Sequence, residues 1–195
     1  MEFDSLRAVA DLALPELVGC PQRTIMETAS VVFADFCHKT KCYRASITVE
    51  LESGVGKIEL DAPYKNAVVI GIERVKVNGR EVMAGEFYSH NYNEVTLVDE
   101  PDGECELELV LKHIPYSESV PKILIATYLE TLAKGVKGKL MTMAGGVYPW
   151  ADMQRGAAYL QEYEQDAHVA ATDIKNGFNV SRVPRKQYTR SVYGF

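Results

Sequence analysis

Cys37 and Cys42 bracket His38 in the run Cys37-His38-Lys39-Thr40-Lys41-Cys42, a grouping of thiols and imidazole close enough in sequence to suggest a metal site. The spacing is not that of a CxxC pair, and no second pair of ligands follows. Cys37 also falls on the apolar face of a helix, so the four cysteines, at 20, 37, 42 and 105, read as reduced and mostly buried thiols. The histidines at 38, 90, 113 and 168 share no ligand spacing, and His168 stands four residues after Glu164, as in a solvated helical pair. Glu104, Glu106 and Glu108, and then Glu162, Glu164 and Asp166, are numerous enough to hide a general acid and base. Their spacing instead puts them on water-facing sides of a strand and a helix. Gly54-Val55-Gly56-Lys57 is too short for a phosphate loop, Gly145-Gly146 has no lysine after it, and neither G-x-S-x-G nor H-E-x-x-H occurs. The expectation is a protein with no catalytic residues, no metal and no cofactor.

Two other groups of residues point to binding. Tyr148 and Trp150 flank Pro149 at a break between helices, where they either plug the end of a hairpin or anchor a neighbouring subunit. The last residues, from Asn179 on, mix Arg182, Arg185, Lys186 and Arg190 with Val180, Val183, Tyr188, Val192, Tyr193 and Phe195. A solvating tail is normally poor in aromatics. This one has the composition of a segment that orders on a partner, steered by charge and anchored by rings.

The elements that position these groups follow from periodicity. Ile25, Ala29, Val32, Phe33, Phe36 and Cys37 form one stripe of a helix over about 21–40, with Pro21 at its first turn. A short helix is expected near 5–10, followed by an extended connector. Alternation then takes over: Ile47, Val49 and Leu51, the β-branched runs at 68–70 and 75–77, Glu94–Val98, and Cys105, Leu107, Leu109 and Leu111 all read as strands. Asn78-Gly79 predicts a tight hairpin turn and Pro101-Asp102-Gly103 another turn. After Pro115, Ile125, Leu129, Leu132, Val136 and Leu140 mark a second long helix in which Gly135 and Gly138 permit a close backbone approach. Asp152 caps a third, with Tyr159 or Leu160, Tyr163, Ala167, Ala170 and Ile174 as its stripe, closed by Asn176-Gly177.

The expected fold class is α+β: a helical bundle from 1–44 and 115–177, an inserted antiparallel β unit over 45–114, and an extended tail over 178–195. The apolar fraction of 47% and the charged fraction of 25% are those of a soluble globular chain. No apolar run approaches the ~20 residues of a membrane span. The acidic N-terminus is not a signal peptide, and folding in a cytoplasm is expected. The net charge of −6 is divided unevenly. Residues 1–173 hold 16 basic and 27 acidic groups, a net −11, whereas 174–195 hold five basic groups and no acidic one. An acidic body disfavours nucleic-acid binding, and a basic end suits docking on an acidic protein.

The chain resembles the head-to-tail adaptors of tailed bacteriophages, the group that includes the tail tubular A proteins of short-tailed phages. The likeness covers about residues 20–177. It rests on the helix ending Ala34-Asp35-Phe36-Cys37-His38-Lys39-Thr40-Lys41-Cys42-Tyr43, on a β insertion closing at Leu111-Lys112-His113-Ile114-Pro115, and on the hairpin from Leu132 to Leu140 with its Gly-rich turn at Pro149-Trp150. The resemblance implies a structural virion protein at the head–tail junction, a ring of typically twelve copies. The portal protein would lie above it and a tail nozzle or further connector below, with DNA passing through the lumen without sequence-specific binding and no membrane involved. It also implies that the tail docks on the portal or a neighbouring subunit through Arg182, Arg185, Lys186, Tyr188, Arg190, Tyr193 and Phe195. Tyr148 and Trp150 are the candidate contacts between subunits. A tail completion or tube-terminator protein is the nearest alternative, and a small hydrolase a remote one.

Overall fold

The computed structural model describes residues 2–177, apart from 53, 55, 84, 92, 100, 118 and 144–146. The chain begins with β1 (Phe3–Asp4), α1 (Arg7–Ala13), a 3-10 turn (Leu14–Glu16) and α2 (Gln22–Thr40). The β unit holds β2 (Arg44–Leu51), β3 (Lys57–Glu59), β4 (Ala67–Val77), β5 (Arg80–Glu81), β6 (Phe87–Asn91), β7 (Glu94–Leu97) and β8 (Gly103–His113). Then come β9 (Val120–Pro121), α3 (Lys122–Met141) and α4 (Met153–Lys175). The fold is α+β, with N-terminal helices, antiparallel sheets and two packed C-terminal helices.

All six residues of the α2 stripe are buried, and each large one contributes roughly 1.5–3 kcal/mol of burial. The helix ends without glycine: Lys41 takes the left-handed conformation (φ 56°) and its N–H bonds to the Cys37 carbonyl at 2.9 Å. Asn78 and Gly79 both have positive φ, 50° and 78°, as the tight β4–β5 turn requires. Asp152 caps α4 by accepting from the Arg155 N–H at 2.9 Å.

The β unit is two sheets. One has strand order β2-β8-β4-β5 and the other β3-β7-β6, while β1 and β9 form a small separate pair. The strands β3, β6, β1 and β9 carry too little alternation to be read from sequence. Nor is the segment after α1 an extended connector. Helix α1 runs to Ala13 and passes directly into the 3-10 turn, which puts Leu17 fully inside the core. The buried apolar cluster is continuous from α1 and α2 through β8 to α3 and α4.

Helix α3 bends at Tyr128 (φ −118°, ψ 22°). The preceding Thr127 hydroxyl bonds back to the Ile123 carbonyl at 2.7 Å, a contact that bends helices, and the Tyr128 ring packs on Phe36 with 4.8 Å between centroids. Among the described residues no helix is long and apolar enough to cross a membrane.

Candidate interface at the turn of the helical hairpin

The α3–α4 hairpin is held close by three glycines. A Cβ on Gly138 would lie 2.9 Å from the Leu160 backbone nitrogen and 2.8 Å from its Cγ. One on Gly156 would meet the Met141 Cβ at 2.9 Å, and one on Gly135 would strike Val32 of α2 at 2.7 Å and the Tyr163 ring at 2.9 Å. The expected close approach at Gly135 and Gly138 is therefore present, and at Gly135 it joins three helices.

At the turn, the Asp152 N–H bonds to the Met141 carbonyl at 3.1 Å, so the two helix ends are tied across the break. The structure brings Tyr148 and Trp150 together: their rings stack with centroids 4.7 Å apart and planes within 7°. Trp150 packs against the core while Tyr148 is 44% exposed. Trp150 thus takes the inward, plugging position and Tyr148 the exposed one. The Trp150 indole N–H is buried and has no acceptor among the described residues. Pro149 sits 3.8 Å from the place a Cβ would occupy on Gly19, so the loop before α2 belongs to the same surface. Val147 (83% exposed) and Met153 beside the turn in sequence, and Val18 (74%) beside Gly19, are apolar side chains in water.

Beneath this surface Glu16 gathers charge. It accepts from Lys137 Nζ and Arg155 Nη2, both at 2.6 Å, and from the Tyr159 hydroxyl at 2.5 Å. Hydrogen bonds from Lys137 and then Tyr159 hold its carboxyl below the usual range, against the opposing effect of burial. Lys137 also lies over the Tyr159 ring, 5.2 Å from its centroid. Glu16 was not singled out in the sequence. A lone Glu after a Pro carries no signal when its partners are more than 120 residues away.

The residues that suggested chemistry are dispersed. Cys37 is fully buried, with burial and then the neighbouring Cys42 pushing its thiol pKa up, while His38 faces solvent. Among the described residues no three His, Cys, Asp or Glu side chains are grouped to hold a metal ion. Glu164 pairs with Lys39 at 2.5 Å. Asp166 pairs with Lys134 at 2.9 Å, and Glu106 with Lys76 at 3.2 Å.

A second buried pair leaves no pattern in the sequence. His113 is fully buried, its Nε2 3.4 Å from the Ser30 hydroxyl, and the Tyr116 N–H donates to that hydroxyl at 2.7 Å. Burial lowers the His113 pKa to about 4, so the ring is neutral at pH 7. Ser30 lies on the wall of a cleft of about 470 Å³ between Arg23 and Tyr116. Serine beside neutral histidine is the start of a nucleophilic pair, but here no carboxylate meets the buried Nδ1 among the described residues. The pair fastens α2 to the segment that follows β8.

The predicted docking residues Arg182, Arg185, Lys186, Tyr188, Arg190, Tyr193 and Phe195 lie outside the described residues. No protein-family model matches the chain, and no curated protein matches it.

Proposed function

We propose that the chain is a structural ring subunit, an adaptor between the portal and the tail of a tailed bacteriophage. The observation that carries this reading is the order of the fold: a long helix, an inserted antiparallel β unit, and a helical hairpin packed through glycines. That is the order in which the sequence resembles the adaptor family.

The hairpin turn supports the reading. A ring closes when one patch of each copy meets a different patch of the next. Interface centres favour exposed tyrosine and apolar side chains over charge. Tyr148, Val147 and Val18 supply such a patch on a base stiffened by the Glu16 network. The acidic body suits a lumen that passes DNA without holding it, and the basic, aromatic tail suits docking on an acidic surface of the portal or of a neighbouring subunit.

The test is binding of the purified chain to portal rings of the phage that carries its gene, over a range of salt. Binding is expected, tightest at low salt, and weakened about tenfold or more when residues 178–195 are deleted. No binding at any salt concentration sinks the adaptor reading, and undiminished binding by the deleted chain sinks the role given to the tail.

A further inference from the structure

The strand β2 is an unfinished edge. Its only sheet neighbour is β8, and among the described residues its backbone makes no other strand pairing. The Leu111 N–H bonds to the Tyr43 carbonyl, so in the antiparallel alternation Ala45, Ile47, Val49 and Leu51 also turn their backbone groups to β8. Arg44, Ser46, Thr48 and Glu50 turn theirs outward. That leaves an eight-residue ladder open to a further strand. The inner side chains Ile47 and Val49 are only half-buried, as expected where the covering strand is missing.

The edge is also electrostatically incomplete. Glu50 stands directly opposite Glu104, in the pair type that brings side chains closest. Neither has an ion-pair partner among the described residues, although Glu106 and Glu108 further along the same strand have Lys76 and Arg44. Like charges so placed favour the arrival of a cation.

We propose that the β2 edge receives residues 185–193 from the C-terminal tail of a second copy of this chain, added as a further antiparallel strand. This run is bounded by Pro184 and Gly194 and contains Tyr188, Thr189, Val192 and Tyr193, residues that favour strands. In an extended conformation Lys186 and Arg190 share one face, the face that meets Glu50 and Glu104, and Thr189 and Tyr193 share the other, beside Ile47 and Val49.

Chain geometry selects a second copy over the same one. The chain leaves α4 on the side of the molecule where β2 starts: α4 runs along α2 towards its C-terminal end, with the Tyr163 hydroxyl donating to Asp35 at 2.9 Å and Glu164 pairing with Lys39 at 2.5 Å. Antiparallel pairing in the same chain would have to begin at the far end, near Leu51, about 23 Å away at ~3.3 Å per residue. The eight steps from Gly177 to Arg185 span at most ~29 Å, so the same chain would spend most of that length running along β2 before it could turn back and pair. A neighbouring copy presents its edge without that constraint.

The proposal deepens the ring-subunit reading but is tested without a portal. Full-length chain with Tyr188 replaced by p-benzoylphenylalanine is mixed, heavy-isotope and light, at high concentration, irradiated and mapped by mass spectrometry. Heavy-to-light cross-links onto residues 44–51 are expected, falling at least about tenfold with Thr48→Pro, which removes an outward N–H at an edge that tolerates proline. Thr48→Val, which keeps that N–H, is expected to retain them. Cross-links confined to single chains, cross-links elsewhere, or none at all overturn the proposal. So does an undiminished yield in a Thr48→Pro chain whose circular dichroism is unchanged. A portal that binds while cross-links fail would leave the adaptor reading standing, and the reverse would leave the edge pairing standing.

Discussion

The hairpin turn and the β2 edge are opposite solutions to the same problem of where a surface stops. At the turn, backbone meets backbone through Gly138 and Gly156, the cap on α4 is satisfied, and Glu16 draws three donors onto itself. At the edge, four residues point backbone groups outward and two carboxylates face each other. The first surface is finished and stiff, with apolar side chains displayed on top. The second is a half-made sheet whose missing strand has a definable shape and charge. A subunit that must hold its form alone and still join others needs both kinds.

Perturbing the finished end costs most. Gly138→Val forces branched atoms into the backbone of α4, and overpacking of this kind is expected to destabilise by about 3 kcal/mol, measured by urea unfolding. A loss under about 1 kcal/mol would mean the hairpin can part there without cost.

The seam between helices and sheet titrates. His113 has a pKa lowered to about 4 from the ordinary 6.5, so the folded state favours the neutral ring. Its contribution is intact above pH 6.5. As pH falls towards 4 stability drops by up to about 1.4 kcal/mol per unit, roughly 3 kcal/mol in all, and levels off below. The difference in stability between the native chain and His113→Gln, followed against pH, checks the sign and window. A difference that does not change between pH 6.5 and 4 would show that the ring titrates alike in both states.

The edge responds least. In dilute solution Glu50→Gln relieves the opposition with Glu104 and is expected to stabilise by about 0.3 kcal/mol at low salt, vanishing at high salt. The same substitution at Glu106 removes its contact with Lys76 and is expected to have the opposite sign. Equal effects at the two positions would remove the distinction between the unpaired carboxylate on the edge strand and the paired one on β8.

Sequence periodicity revealed the long elements because each is amphipathic on its own. The α2 stripe, the Asn78-Gly79 turn and the Asp152 cap are local in the chain, and each holds in the structure. Gly135 and Gly138 were legible as places of close approach, although not which helices would approach. What stayed hidden is non-local. Ser30 meets His113 across 83 residues and Glu16 meets Tyr159 across 143, and neither contact leaves a pattern in its own neighbourhood. The short strands β3 and β6 depend on β7 between them and have no periodicity to show. Tyr148 and Trp150 were visible as a pair, but their division into an inward and an outward ring depends on the loop before α2.

The Glu16 network also sets a schedule. Its last donor, Tyr159, is made 143 residues after the carboxylate it serves. At the ~5–20 residues per second of synthesis, the N-terminal segment waits roughly 7–30 s before its charge is answered. For most of that interval, until α3 is made, Val9, Ala13 and Leu17, all destined for the core, lack a third helix to lie against. The beginning of this protein is therefore among the last parts of it to become folded.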